Sequence, residues 1–277
     1  MAEAVEPAHL MAILNETVAG LDACVQKLAT TFPLPRRVIV HGLRTFRHHD
    51  QDDLLLSFLK LIKIASHNNA AIVLLSEGYV QEVYALCRMI DEAIEDIHFM
   101  ATPLGEDGTP GRHQIAFIEE FFQEEFSGTD PVKSHQSRDR VTREKVRAGI
   151  SRIGGKTKER NPSLEVEIGR VLSGTFSGYV HGAYVHIMDL FGGEAPHFHT
   201  RGMLGTPRMQ ECLGSHVNYV YRSLLAVEGV GYRAFREDVA HGALDLSIAL
   251  SRQTKCVKAD AIESMQRRRT RPLVKPS

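Results

Sequence analysis

Between Tyr79 and Met100 the apolar residues Tyr79, Val83, Leu86, Ile90, Ala93, Ile94 and Ile97 recur mainly at steps of three and four. That period puts them on one face of an α-helix and leaves the other face polar. The same spacing runs through nearly the whole chain. Leu10, Ile13, Leu14, Val18, Leu21 and Val25 form a second stripe between Pro7 and Thr30. Sustained alternation, the mark of a half-buried strand, is missing. RVIVHG, from Arg37, reads as a short strand with no visible partner. The spacing therefore predicts an all-α fold, a multi-helix bundle of about nine helices occupying residues 1–251.

Breakers and caps mark the ends of these helices. The prolines of FPLPRR stop the first one. An Asp of HHDQDD can cap LLLSFLKLIKIA. A further helix covers Asn68 to Glu77 and closes at Gly78. TPLGEDGTPGR is a loop, and HQIAFIEEFFQEEF is a helix. Between residues 127 and 160 the composition turns charged and small. This is the signature of a charged insertion or mobile arm, with a solvated helix from Asp139 to Ile153. NPSLE opens a helix predicted to reach Phe191. TPRM opens another ending near Glu228 and Gly229, and a last helix follows from Tyr232 to Ser251. Residues 252–277 hold QRRRTRPLVKP and read as a disordered basic tail.

The net charge of -1 means that any contact with a polyanion must come from a local patch. Cys24, Cys87, Cys212 and Cys256 never fall in a CxxC spacing, so they read as reduced thiols of a cytoplasmic protein. No apolar run approaches the roughly 20 residues a bilayer requires, and no signal segment is visible. No membrane partner is expected.

SGYVHGAYVHIMDLFGGEAPHFHT, from Ser177, holds His181, His186, His197 and His199. On an unbroken helix His181 and His186 lie about 140° apart, so they cannot share one metal ion. A ligand pair on a helix needs a spacing of three or four. Gly174, Gly178 and Gly182 recur every fourth residue and form a small-residue ridge. Close approach by a neighbouring helix is the plain explanation, and space left for a ligand is the alternative. His181 borders that ridge and is the foremost functional histidine.

On the polar face of the Tyr79–Met100 helix, Arg88 and Glu92 stand four apart and can pair. Asp91, Glu95 and His98 share the face, which either meets water or meets another helix as a polar seam. Glu95–His98 and Asp238–His241 match the acid-x-x-His spacing of metal-binding bundles. The further glutamates such a site needs are not identifiable. Arg236 and His241 form an R-x4-H pair of the kind used by nucleases. Arg36–His41 and Arg44–His49 show the same spacing, so chance accounts for such pairs. HHDQDD is read as a polar cap rather than a metal loop. No nucleotide-binding or hydrolase motif is present and no cofactor is expected.

AAIVLLSEGYVQEVYALCRMIDEAIEDIHFM, from Ala70, resembles a broad group of bacterial helical domains without an assigned function. In these a helix ends at glycine and the next carries Arg followed four residues later by Glu. Arg88 and Glu92 are those positions. SGYVHGAY is similar to their His-Gly helix through His181 and Gly182. Such domains resemble the HEPN superfamily, helical bundles often dimeric and often acting on RNA in defence and toxin–antitoxin systems. The resemblance spans Leu54–Met100 and Ser163–Phe191. It implies a bundle with a seam of Arg88, Glu92 and His181. Arg236 and His241 would be the superfamily's catalytic pair, but lack its usual polar pattern.

The expectation is a HEPN-like bundle that binds or cleaves RNA. One alternative is a non-catalytic interaction module forming a homodimer. Another is a carboxylate–histidine metal bundle using Glu95, His98, Asp238 and His241.

Overall fold

The computed structural model describes residues 6–101, 103–105, 109–134, 140–153 and 162–270. Ten α-helices and two small two-stranded ribbons occur among them. The all-α bundle predicted from the spacing is the observed fold.

Five helices build the main core: α1 (Pro7–Ala29), α2 (Asp53–Ser76), α3 (Val80–Met100), α8 (Pro207–Arg233) and α9 (Glu237–Thr254). The stripes of α1 and α3 enter it through Leu14, Leu21, Ile90 and Ile94, each essentially without solvent contact. Burying one such side chain stabilises the fold by roughly 1.5–3 kcal/mol. α2 is long and apolar enough by composition to cross a bilayer, and in the bundle its Leu61, Ile64 and Leu75 sit fully inside the core. It runs unbroken where the sequence suggested two helices, because no Gly or Pro lies between Ala65 and Asn68 and the buried Asn68 amide is satisfied by the Ile64 carbonyl at 2.9 Å and the Ser223 hydroxyl at 3.1 Å.

The caps act as the sequence indicated. Asp52 accepts a hydrogen bond from the Leu55 amide at 2.7 Å and starts α2. Thr206 caps α8 with Pro207 in its first turn.

Other expectations change as well. The helix of the charged segment, α5 (Arg143–Ile153), is not solvated: Val146 is fully buried with Leu56, Phe99 and Phe117. α4 (Arg112–Phe122) supplies Phe117 to that satellite core. Residues 135–139 and 154–161, which include the expected start of that helix and the Asn161 cap, lie outside the described residues. Second, the supposed disordered tail forms α10 (Ala259–Arg269), packed by Met265 against Leu244 and Ile248. Residues 271–277 lie outside the described ones. Third, the helix expected to reach Phe191 stops early. α6 (Pro162–His181) ends where Gly182 turns left-handed at φ 63°, and α7 (Tyr184–Met188) folds back.

The lone strand has a partner. β1 (Arg36–Val40) pairs antiparallel with β2 (Leu43–Arg47), joined by His41 and Gly42, both at positive φ. Two such residues make the mirror-image turn that suits a two-residue hairpin. A second, shorter ribbon pairs β3 (Phe191–Gly192) with β4 (His197–Phe198).

Candidate functional site

The polar face of α3 is a seam between helices. Arg88 pairs with Glu92 along the helix at 2.6 Å. Asp91 is buried, accepts a hydrogen bond from the Tyr219 hydroxyl at 2.9 Å and pairs with Arg222 at 2.5 Å. The Arg222 guanidinium also lies over the Tyr219 ring, 5.4 Å from its centre. Glu95 is held by Arg147 at 2.9 Å. Asp96, fully enclosed, meets Lys60 at 2.6 Å and Arg143 at 2.7 Å. Each carboxylate thus has its own cation, as burial of charge demands.

α6 does lie on α3, but through aromatic contacts. The rings of Phe176 and Tyr179 stand 5.4 and 4.7 Å from that of Tyr84. His181 is about 140° round the helix from Phe176. It is exposed, with no hydrogen bond or ion pair among the described residues. The expected convergence of Arg88, Glu92 and His181 therefore does not form. The face of α6 that meets α3 carries rings, and His181 turns away from it.

The glycine ridge does not admit another long helix. A Cβ on Gly178 would collide with the His186 ring, while Gly174 faces open space. His186 folds back from α7, donates from Nε2 to the Thr175 carbonyl at 3.0 Å and stands edge-on to Tyr179 at 4.2 Å. His197 and His199 stack at 4.1 Å and bond to the carbonyls of Ala195 and Gly192. Three of the four histidines serve local packing, and no group of three metal-ligating side chains occurs among the described residues.

Arg236 and His241 are likewise apart in role. Two nitrogens of Arg236 hold the Asp238 carboxylate at 3.0 Å. Its third donates to the Lys27 carbonyl and to the Thr30 and Thr31 hydroxyls, closing the end of α1. His241 Nδ1 accepts from Arg269 of α10 at 3.2 Å. The metal alternative dissolves in the same way. Asp238 is held by Arg236 and Lys27, which press its carboxyl far below the usual range, and Glu95 faces Arg147. His98 is exposed on another helix.

The buried Cys87 and His216 are 3.8 Å apart, a couple the sequence does not single out. Burial pushes the Cys87 thiol up and lowers His216 to about 4. Near neutral pH both are uncharged, so they do not form a thiolate–imidazolium pair. Burial also raises the Tyr219 hydroxyl, reinforced by the Asp91 charge. It acts as a donor to Asp91, not as a base.

The exposed chemistry lies on the β1–β2 hairpin. Its inner face leans on the body: Arg47 grips Glu124 with two nitrogens, at 2.5 and 2.7 Å, and His41 Nε2 donates to the Phe126 carbonyl at 2.7 Å. The outer face pairs Arg37 with Phe46 and Ile39 with Arg44 across the strands. Ile39 is 73% exposed and Phe46 57%. Arg37 lies over the Phe46 ring at 5.7 Å. Arg36, Arg37 and Arg44 have no carboxylate partner among the described residues, and no acid occurs from Thr30 to His49. Sequence reasoning missed this surface because the turn is His-Gly rather than Asn-Gly.

No protein-family model, curated protein or solved structure matches this chain.

Proposed function

We propose that this chain is a non-cleaving RNA-binding bundle that holds single-stranded RNA on the outer face of its β1–β2 hairpin. The carrying observation is an exposed Phe46 flanked by the unpaired guanidinium groups of Arg37 and Arg44. An exposed ring gives an unstacked base a platform, and fixed cations beside it meet the phosphates. A ribbon that offers one open face to solvent suits a flexible strand better than a duplex, whose bases are already stacked. Binding without cleavage is supported by the groups elsewhere. Arg236 and His241 are tied to different partners, and the buried thiol and imidazole are neutral.

Fluorescence anisotropy with single-stranded RNA tests this directly. Salt-sensitive binding is expected, the RNA being recovered intact. Phe46→Ala should weaken binding by about 1–3 kcal/mol. Arg37→Ala and Arg44→Ala should each flatten the salt dependence by about 0.7 in log–log slope. Absence of binding at low salt would remove the proposal. Cleavage that disappears in His241→Ala would restore the nuclease reading.

A further inference from the structure

We propose that the cavity between α2, α3, α4 and α5 binds a free amino acid as its zwitterion. On α4, Phe117, Glu120 and Phe121 stand at steps of three and four and so share one face. That face meets Lys60 of α2, Asp96 of α3 and Arg143 of α5 around a space of about 240 Å³. Drug-sized ligands occupy roughly 300–1,000 Å³, so this space fits a smaller molecule.

The ion pairs around it leave donors and an acceptor unspent. An ammonium carries three N–H donors. Lys60 turns one towards Asp96 at 2.6 Å and stands over the rings of Phe121 and Phe117, 5.1 and 6.0 Å from their centres. Nη1 of Arg143 meets Asp96 at 2.7 Å and Glu95 at 3.6 Å, while its Nε and Nη2 have no acceptor among the described residues. Glu120 accepts the Val141 amide at 3.2 Å through one oxygen. Its other oxygen has Arg140 at 3.8 Å, beyond hydrogen-bonding reach. Two cations and one anion with capacity to spare therefore border the same space.

Charge selects the ligand. Lys60, Arg143, Asp96 and Glu120 cancel on the cavity wall. A lone anion or cation would leave one sign unmet, whereas a molecule with both a carboxylate and an ammonium answers each. Asp96, fully enclosed beside the two cations, already meets part of their charge and disfavours a phosphate. The carboxylate is matched to Lys60 and the open edge of Arg143 by charge-assisted hydrogen bonds. The ammonium is matched to the open oxygen of Glu120, and Phe117 and Phe121 give the carbon skeleton an apolar wall. Phe117 stands edge-on to Phe99, 5.8 Å between centres, and the Val141 amide pins Glu120. Groups held in this way lower the ordering cost of binding.

Isothermal titration of the full chain with each neutral L-amino acid in turn tests this. At least one should bind with a dissociation constant of about 1 mM or tighter. The same compound with its ammonium acetylated, or with its carboxylate removed, should bind at least about tenfold more weakly, because each change deletes charge-assisted hydrogen bonds. Glu120→Gln keeps an acceptor for the Val141 amide and removes the charge. Phe121→Trp fills space without altering a charge and guards against a folding defect in the first variant. Each should lose at least about tenfold in affinity with an unfolding midpoint near that of the wild type. No binding of any neutral amino acid at millimolar concentration overturns the inference. Equal affinity for either truncated analogue does the same, as does unchanged affinity in a folded Glu120→Gln or Phe121→Trp chain. The cavity shares no residue with the β1–β2 hairpin, so both variants should still bind single-stranded RNA.

Discussion

The Tyr219 hydroxyl reaches across the α3–α8 seam to Asp91, 2.9 Å away, and ties together residues 128 positions apart. Asp91 is the seam's central acceptor, with Arg222 on its other oxygen. This geometry sets the relative register of two long helices that otherwise meet through interchangeable apolar side chains.

Tyr219→Phe removes one donor but leaves Asp91 its cation. A hydrogen bond to a charged group is worth about 1.5–3 kcal/mol, and the loss should fall at the lower end of that range. Asp91→Ala should cost more, because Arg222 and the Tyr219 hydroxyl both lose their acceptor. Arg222 is partly exposed, so water recovers some of the loss and the full penalty of an isolated buried charge is not expected. Urea unfolding of the two variants orders them; equal midpoints for Asp91→Ala and wild type would contradict the assigned role.

His216 gives the fold a pH dependence. Burial lowers its pKa from 6.5 to about 4, so the unfolded chain binds the proton more tightly. Stability conferred by keeping the ring neutral is complete above about pH 6.5, falls as pH drops, and is fully lost below about pH 4. Across that window the contribution is about 3 kcal/mol, because each pH unit separating the folded and unfolded proton affinities is worth roughly 1.4 kcal/mol. Urea midpoints measured from pH 7 down to pH 4 should decline in the wild type. His216→Gln should decline less, and an equal decline would assign the effect to other groups.

Gly178→Ala should displace α7. The added methyl lands on the His186 ring, and overpacking of this kind costs about 1–3 kcal/mol. His186→Ala on its own should cost less. In the double variant the clash is gone, so thermal melts should show Gly178→Ala nearly harmless there. Strict additivity would mean the ring already stands elsewhere.

What is legible in the sequence follows from range. The stripe of α3 and the Thr206–Pro207 start of α8 are local signals, and both elements stand where those signals put them. The partner of the α3 polar face is not readable in the same way. Tyr219 and Arg222 lie far along the chain and look like any polar pair on a helix. Arg88 and Glu92 pair as their spacing of four requires, whereas no such constraint ties His181 to them. Evenly spaced glycines suggest a continuous ridge, but Gly182 ends the helix and Gly178 makes room for the chain's own return. The basic run near the C-terminus hides an amphipathic turn. Arg268 and Arg269 meet Glu228 of α8 and Asp245 of α9, so these charges dock α10 instead of extending it into water.

The R-x4-H pair offers the sharpest comparison between a catalytic and a structural reading. Arg236 makes hydrogen bonds to one carboxylate, one carbonyl and two hydroxyls at the junction of α1 and α9, whereas His241 faces Arg269 and the edge of Tyr232. Arg236→Ala should therefore destabilise the fold by about 1–3 kcal/mol, with Asp238 left facing Lys27 alone. His241→Ala should act separately through α10. Sites that share no partner add within about 0.5 kcal/mol, so the double variant should equal the sum of the two singles in urea unfolding. Residues acting as one catalytic unit behave differently: either single substitution removes nearly all of the activity, and the second adds little. A non-additive loss of an RNA-directed activity, with unfolding midpoints unchanged, would return Arg236 and His241 to a common site.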